Sequence, residues 1–245
     1  MKIKVHPDYN EMSRSAANFI ADFVKNKPDA LLCFPSGDTP TGILNCLIED
    51  VRSGKLDFKD CLFAGLDEWV GQDGSDEGSC RHYMDEHFFL PLKIRPEQIS
   101  FFNGKAVDLK RECRRMDEFI SSKGQVDLLM VGLGLNGHVG LNEPGVDFNL
   151  YSHISDLHQM TKDSAKKYFN QEVLLTQGIT LGPKHILESK VAVLIASGSK
   201  KAEILVKALE EEVSRDVPAC VLQMHPDSYV FTDREAASLL TKLVQ

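Results

Sequence analysis

Four nearly continuous apolar runs restrict the fold of this chain more than any other feature: 29–34 (DALLCF), 61–66 (CLFAGL), 127–133 (DLLMVGL) and 190–197 (KVAVLIAS). A strand with one wet face alternates apolar and polar residues. A strand without that alternation needs cover on both faces. Amphipathic segments near 10–26, 40–54, 79–90, 106–123 and 200–213 separate the runs. In the last of these, Ala202, Leu205, Val206 and Leu209 recur at helical spacing, while Lys201, Glu203, Glu210 and Glu211 can face water. Shorter strands are predicted at 2–5, 219–223 and 228–231, and a closing helix near 232–243. The alternation predicts an α/β fold with an open, doubly wound, mainly parallel sheet. No repeat or Pro/Ser-rich linker interrupts it, so 1–245 reads as a single domain. In such sheets ligands bind beyond the carboxyl ends of the strands, which directs the search to the loops that follow them.

Charge narrows the range of partners. The net charge is −8 and no stretch gathers Lys or Arg into a stripe, which argues against nucleic acid. A small anion can still bind where a few donors are placed locally. No apolar run reaches the roughly 20 residues of a membrane helix. The start, MKIKVHPDYN, has no signal-peptide core, so the cytoplasm is the expected location. Six cysteines (Cys33, Cys46, Cys61, Cys80, Cys113 and Cys220) include no C-x-x-C pair; reduced thiols are expected rather than a metal site or disulfides.

Three loops carry chemistry. Pro35-Ser36-Gly37-Asp38-Thr39-Pro40 follows LLCF and precedes a helix. Gly37 allows close backbone approach, Ser36 and Thr39 offer hydroxyls, and the helix N-terminus offers N–H groups, which together suit a phosphate. The same residues could form a plain turn with Thr39 as a cap. Asp38 would repel an anion, so its side chain must point away. After FAGL come Asp67-Glu68-Trp69-Val70-Gly71. One of two carboxylates at the end of a buried strand could be a general base, and Asp67 is the one that continues into the cleft. Carboxylates in such places also cap helices, and Trp69 reads as a packing wall.

The third loop, Gly132-Leu133-Gly134-Leu135-Asn136-Gly137-His138-Val139-Gly140-Leu141-Asn142-Glu143-Pro144-Gly145, follows DLLMV. Gly132, Gly134 and Gly137 are followed by His138 and no clear helical run, so a dinucleotide site is not expected. His138 has an amide two residues before it and a carboxylate five residues after, partners able to set its tautomer. His82 and Glu86 are spaced i, i+4, but a metal needs more ligands, and a solvated helix face fits them better. Lys200 and Lys201 open a helix against the dipole preference, which a phosphate at that edge would explain.

PSGDTP, LDEWVG, GLGLNGHVGLNEPG and GSKKA, in that order, resemble the glucosamine-6-phosphate deaminase family over nearly the whole chain. KPDALLCFPSGDTP, the Trp of LDEWV, LNEPG, HIS at 153–155 and ITLG at 179–182 look nearest to its galactosamine-6-phosphate isomerase branch. The resemblance implies a Rossmann-like α/β/α sandwich and an enzyme that converts galactosamine 6-phosphate to tagatose 6-phosphate and ammonia. The alternative is glucosamine 6-phosphate giving fructose 6-phosphate. It implies no cofactor and no metal, and a homo-oligomer stays open. By the resemblance, Asp67 moves a proton between C2 and C1, and His138 opens the ring. Glu143 and Asn136 orient that histidine, while Ser36, Gly37, Thr39, Gly137, Lys167 and Lys201 bind substrate. Two departures stand out. Asn136 occupies a position that is Asp in many members, and Lys167 one that is Arg, giving a point charge in place of a bidentate fork. The segment after the NEP motif, GVDFNLYSHIS, has no Lys or Arg, so activation by an N-acetylated sugar phosphate is not expected. A 6-phosphogluconolactonase is the rival enzyme; its loop runs on to Ser-Leu-Phe-Pro where this chain has Leu141-Asn142-Glu143-Pro144. A non-catalytic sugar-phosphate sensor is a further rival, which the presence together of Asp67, His138 and Glu143 disfavours.

Overall fold

A computed structural model describes residues 1–171 and 173–241 of the chain. Seven strands form one sheet in the order β1 (Lys2–His6), β10 (Ser228–Asp233), β9 (Val191–Ala196), β6 (Leu128–Gly132), β2 (Leu31–Phe34), β3 (Leu62–Gly65), β5 (Ile99–Ser100). Every neighbouring pair is parallel. The four long apolar runs are β2, β3, β6 and β9, with β2 and β6 at the centre.

Period-two side-chain alternation divides these runs between two layers. Leu32 and Phe34 of β2, Met130 of β6 and Val193 of β9 pack under α1 (Tyr9–Asn26) and α2 (Asp38–Arg52), against Met12, Ile20, Ile43 and Leu47. Leu31, Cys33, Val131 and Leu194 point the other way, toward Met116 and Ile120 of α4 (Leu109–Ser122), Ile186 of α6 (Pro183–Glu188) and Leu205 of α7 (Ala202–Leu209). Each fully buried Leu or Ile side chain contributes roughly 1.5–3 kcal/mol, so covering both faces is the main stabilisation of the sheet. Among the described residues no helix is long and apolar enough to cross a membrane.

Chain order reverses between β2 and β6. From β2 the chain moves outward through β3 to β5, then returns to the other side of β2 and continues through β9 to β10, which lies beside β1, the first strand of the chain. The loops after β2 and β6 therefore part at a topological switch point, where open α/β sheets form a crevice.

Three expectations need correction. The 219–223 segment is a 3₁₀ helix, Pro218–Met224, not a strand. Pro218 lacks an N–H and fixes φ in the helical range, and the apolar residues after it fill the layer beside α7. The closing helix is also absent from residues 234–241; β10 runs to Asp233, whose carboxylate accepts the Ala236 N–H and turns the chain. Residues 242–243 of that expectation lie outside the described residues. The helix near 79–90 begins as α3 (Cys80–Met84) and widens into a π-helical turn at Asp85–Phe89.

A second, antiparallel sheet was not anticipated. It joins β4 (Asp67–Trp69), β8 (Gln177–Thr180) and β7 (His153–Asp156). Asp67 pairs with Thr180, so the expected loop after FAGL is itself a strand. Helix α5 (Gln159–Ala165) lies between β7 and β8 in the chain.

Candidate active site

The turn after β2 places Gly37 at φ 114° as the N-cap of α2, with no side-chain hydrogen bond capping the helix. That conformation is strained for residues with a Cβ, which is why glycine stands there. Thr39 lies inside the first turn rather than capping it. Tyr83 fixes the loop by donating its hydroxyl to Gly37 O at 2.7 Å. Asp38 forms an ion pair with Lys167. The turn at 166–168 thus sits beside the α2 N-terminus, and the Tyr168 hydroxyl lies 3.1 Å from where a Gly37 Cβ would stand.

In β4 the two carboxylates have different tasks. Glu68 is fully buried and accepts the N–H groups of Trp69 at 2.9 Å, Cys80 at 3.0 Å and Arg81 at 2.9 Å. It caps α3 together with Ser79, so it is a structural carboxylate. Burial raises its pKa, and these N–H donors oppose the rise. Trp69 packs in a satellite cluster with Cys80 and Leu141 and donates its indole N–H to Gly78 O, as a wall would. Asp67 points the other way and is 8% exposed. Burial pushes its pKa up to about 7, with the Cys80 thiol opposing and Glu68 adding. The Cys80 thiol also reaches Ser36. Asp67 is thereby connected to the β2 loop. Its Oδ2 is 3.4 Å from the position a Gly140 Cβ would take, which connects it to the β6 loop.

The β6 loop orders the imidazole. Gly137 at φ 88° and Gly140 at φ 57° fold it back, and Gly134 N–H donates to His138 O at 2.9 Å. A Cβ on Gly134 would stand 2.4 Å from the His138 ring, so only glycine admits the ring there. Asn136 Nδ2 donates to Glu143 Oε2 at 2.8 Å, which turns its Oδ1 to His138 Nδ1 at 2.7 Å. A carboxylate can only accept, so the amide orientation follows from Glu143, and Nδ1 must carry the proton. Nε2 is left with its lone pair. Burial pushes the His138 pKa down to about 4, Glu143 opposing and Lys201 and His158 adding, so the ring is neutral at pH 7.

Lys201 donates to Leu133 O at 2.5 Å, which ties the turn after β9 to this loop. Burial pushes its pKa down to about 8, with Lys167 adding and Asp38 opposing. An anion placed there would favour its charged form. Asp233 holds that turn, accepting Gly198 N–H at 3.0 Å and the Ser197 hydroxyl. Ser36, Gly37, Asp67, Asn136, Gly137, His138, Glu143, Lys167 and Lys201 thus belong to segments that meet through Cys80, Gly140, Leu133 and Asp38. Cys80, Thr161, His158 and Tyr168 were not anticipated. Each acts through contacts remote in sequence, and only the proximity of Tyr168 to Lys167 could have signalled one of them. Among the described residues no group of three His, Cys, Asp or Glu side chains is placed to hold a metal ion. All six cysteines are free, and Cys46 alone among them is not buried.

A profile of the family described as glucosamine-6-phosphate isomerases/6-phosphogluconolactonase matches residues 8–231. The chain belongs to this family. Glucosamine-6-phosphate deaminase 1 of Bacillus subtilis is 38% identical over 98% of this chain and 99% of its own length. The glucosamine-6-phosphate deaminase of Thermoanaerobacter pseudethanolicus is 36% identical over 98% of this chain and 95% of its own. A solved structure described as a monomeric glucosamine-6-phosphate deaminase superposes with a TM-score of 0.95 at 38% identity, covering 98% of this chain and 100% of that one. 6-Phosphogluconolactonase from Trypanosoma brucei, at 16% identity and a TM-score of 0.77, shares the fold. These similar relatives carry the glucosamine name, which favours that alternative over the galactosamine branch.

Proposed function

We propose that the chain isomerises and deaminates glucosamine 6-phosphate, releasing fructose 6-phosphate and ammonia. The observation that carries the reading is the pairing of a neutral imidazole, its Nε2 free, with a buried carboxyl group whose pKa is about 7, on loops that meet at one sheet edge. The names of the similar deaminases support the epimer.

In this reading Ser36, Gly37 and Thr39, with the α2 N-terminus, Lys201 and Lys167, hold the 6-phosphate, and Gly137 contributes backbone to the substrate beside the histidine. His138 Nε2 takes the O1 proton and returns it to O5, which opens the ring to an aldehyde. The aldehyde acidifies C2–H. Asp67 removes that proton, leaving an enol-amine, and delivers it to C1. The C2 imine that results is hydrolysed by water to the ketose and ammonia. A carboxyl group that titrates near neutrality suits both halves of the transfer, because neither its base nor its acid form is rare. Asn136 carries no charge, so Glu143 alone in the relay supplies negative charge to a protonated His138.

The test is an ammonia-coupled assay on the intact chain with glucosamine 6-phosphate, galactosamine 6-phosphate and 6-phosphogluconolactone side by side. Ammonia from the first substrate is expected. Lactone hydrolysis without ammonia would sink the reading, and a preference for the second substrate would return the epimer to the galactosamine branch. The solved relative is described as monomeric, so light scattering on the same sample tests for a monomer.

A further inference from the structure

Thr161 lies in the first turn of α5 and is 4% exposed. A threonine hydroxyl inside a helix commonly bonds back to the carbonyl four residues earlier. The Thr161 hydroxyl turns outward from its helix, and Oγ1 stands 3.1 Å from His138 Nδ1, 23 residues away in the chain. The start of the same helix holds the other end of the relay: His158 N–H donates to Glu143 Oε1 at 3.2 Å. Helix α5 therefore touches both the imidazole and the carboxylate that governs it.

Proton accounting fixes the direction of the Thr161 contact. Glu143 takes the Asn136 amide protons, Asn136 Oδ1 faces Nδ1, and Nδ1 must be the N–H. A hydroxyl beside an N–H accepts. The Nδ1–H bond is then shared between Asn136 Oδ1 at 2.7 Å and Thr161 Oγ1 at 3.1 Å.

Resting on the proposed function, we infer that Thr161 is a positioning residue for His138, its hydroxyl oxygen holding the ring in the Nδ1–H tautomer with Nε2 aimed at the substrate. Thr161 acts through the imidazole. When Nε2 takes up a proton, two oxygens rather than one stabilise the cation. The other charged or titratable groups facing the ring are Glu143 from its own loop, Lys201 from the turn after β9 and His158 from the start of α5.

The test compares Thr161→Val, which keeps the shape and removes the hydroxyl, with Thr161→Ser, which keeps the hydroxyl. In the ammonia assay Thr161→Val is expected to lower kcat about tenfold, with KM within about twofold, as loss of one bond to a charged group would. The pKa of the His138 ring, followed by nitrogen-15 NMR, should move lower, because the imidazolium has lost an acceptor. Thr161→Ser should keep the parent kcat and ring pKa. Nitrogen-15 NMR of the histidine ring, assigned with His138→Gln, reads the tautomer without turnover. The parent should show Nδ1 protonated, and Thr161→Val a mixture of tautomers. Parental kcat and ring pKa in Thr161→Val would overturn the inference, as would a Thr161→Ser as impaired as Thr161→Val. A parent spectrum with Nε2 protonated would overturn it even if Thr161→Val failed to fold. No ammonia from a parent whose tautomer is as expected would instead sink the deaminase reading and leave the positioning role standing.

Discussion

Asp67→Asn exchanges a buried ionisable group for one of nearly the same shape that has no charge at any pH. In the folded protein burial raises the Asp67 pKa from 3.8 to about 7. A carboxyl group raised in this way holds its proton in the folded state after the unfolded chain has released it. Its contribution to stability is complete below the unfolded pKa, falls as pH rises toward the folded value, and is flat above that. Each pKa unit is worth about 1.4 kcal/mol, so between about pH 5 and about pH 7 the parent loses about 2–3 kcal/mol through this one group. The asparagine variant does not share the loss. Whatever constant cost attends its buried amide, its stability relative to the parent should rise by that amount across the window. At this chain length about 1 kcal/mol moves Tm by about 2–4 °C, so the difference in Tm should widen by about 4–12 °C. Thermal melts of both proteins at about pH 5 and about pH 8 measure it, and the pH-independent cost of the amide cancels in the comparison. On the proposed mechanism the same variant should bind sugar phosphate yet lose about 10²–10⁴-fold in turnover. A difference in Tm that stays constant between the two pH values would refute the claim that burial holds back this charge.

Other substitutions probe the remaining parts. Gly134→Ala drives a methyl group into the His138 ring, so kcat for ammonia release should collapse while a sugar phosphate still protects the protein in a thermal-shift assay. Lys201→Met removes an ammonium whose protonation an anion would favour, and KM for the sugar phosphate should rise on the order of 10–100-fold, with a smaller change in kcat. Asn136→Asp places a second carboxyl group beside His138 Nδ1, so the His138 pKa, read by nitrogen-15 NMR of the ring, should move up by about one unit. An unmoved pKa would mean that Nδ1 is not the nitrogen facing residue 136.

The sheet was legible because β2, β6 and β9 are apolar on both faces, a pattern that only double cover explains. The loops after β2, β3 and β6 were legible because glycine, hydroxyl, carboxylate and imidazole groups cluster where such sheets bind ligands. Legibility failed where a contact rather than a period decides the structure. Strands β4, β7 and β8 have three or four residues each, too few for alternation to register, and they exist because Asp67, Thr180 and His153 can pair across the chain. Residues 219–223 are apolar enough for a strand, but Pro218 and the packing beside α7 impose a 3₁₀ turn. Adjacent carboxylates at 67 and 68 look alike in sequence; three N–H donors give one of them to helix capping and leave the other to the cleft. Thr161 gave no signal, because nothing in its neighbourhood announces a histidine 23 residues away.

Strands β2 and β6 are hydrogen-bonded neighbours, Leu32 opposite Leu128 and Cys33 opposite Leu129, and on the proposed function one carries the turn that holds the phosphate while the other carries the imidazole turn. On that reading the span from phosphate anchor to reacting carbons follows a backbone gauge of about 4.8 Å, the distance between adjacent strands. Side-chain changes can alter which hydroxyl groups are accepted, yet they leave that gauge as it is. A sugar phosphate one carbon shorter is expected to reach the anchor or the histidine, but not both at once.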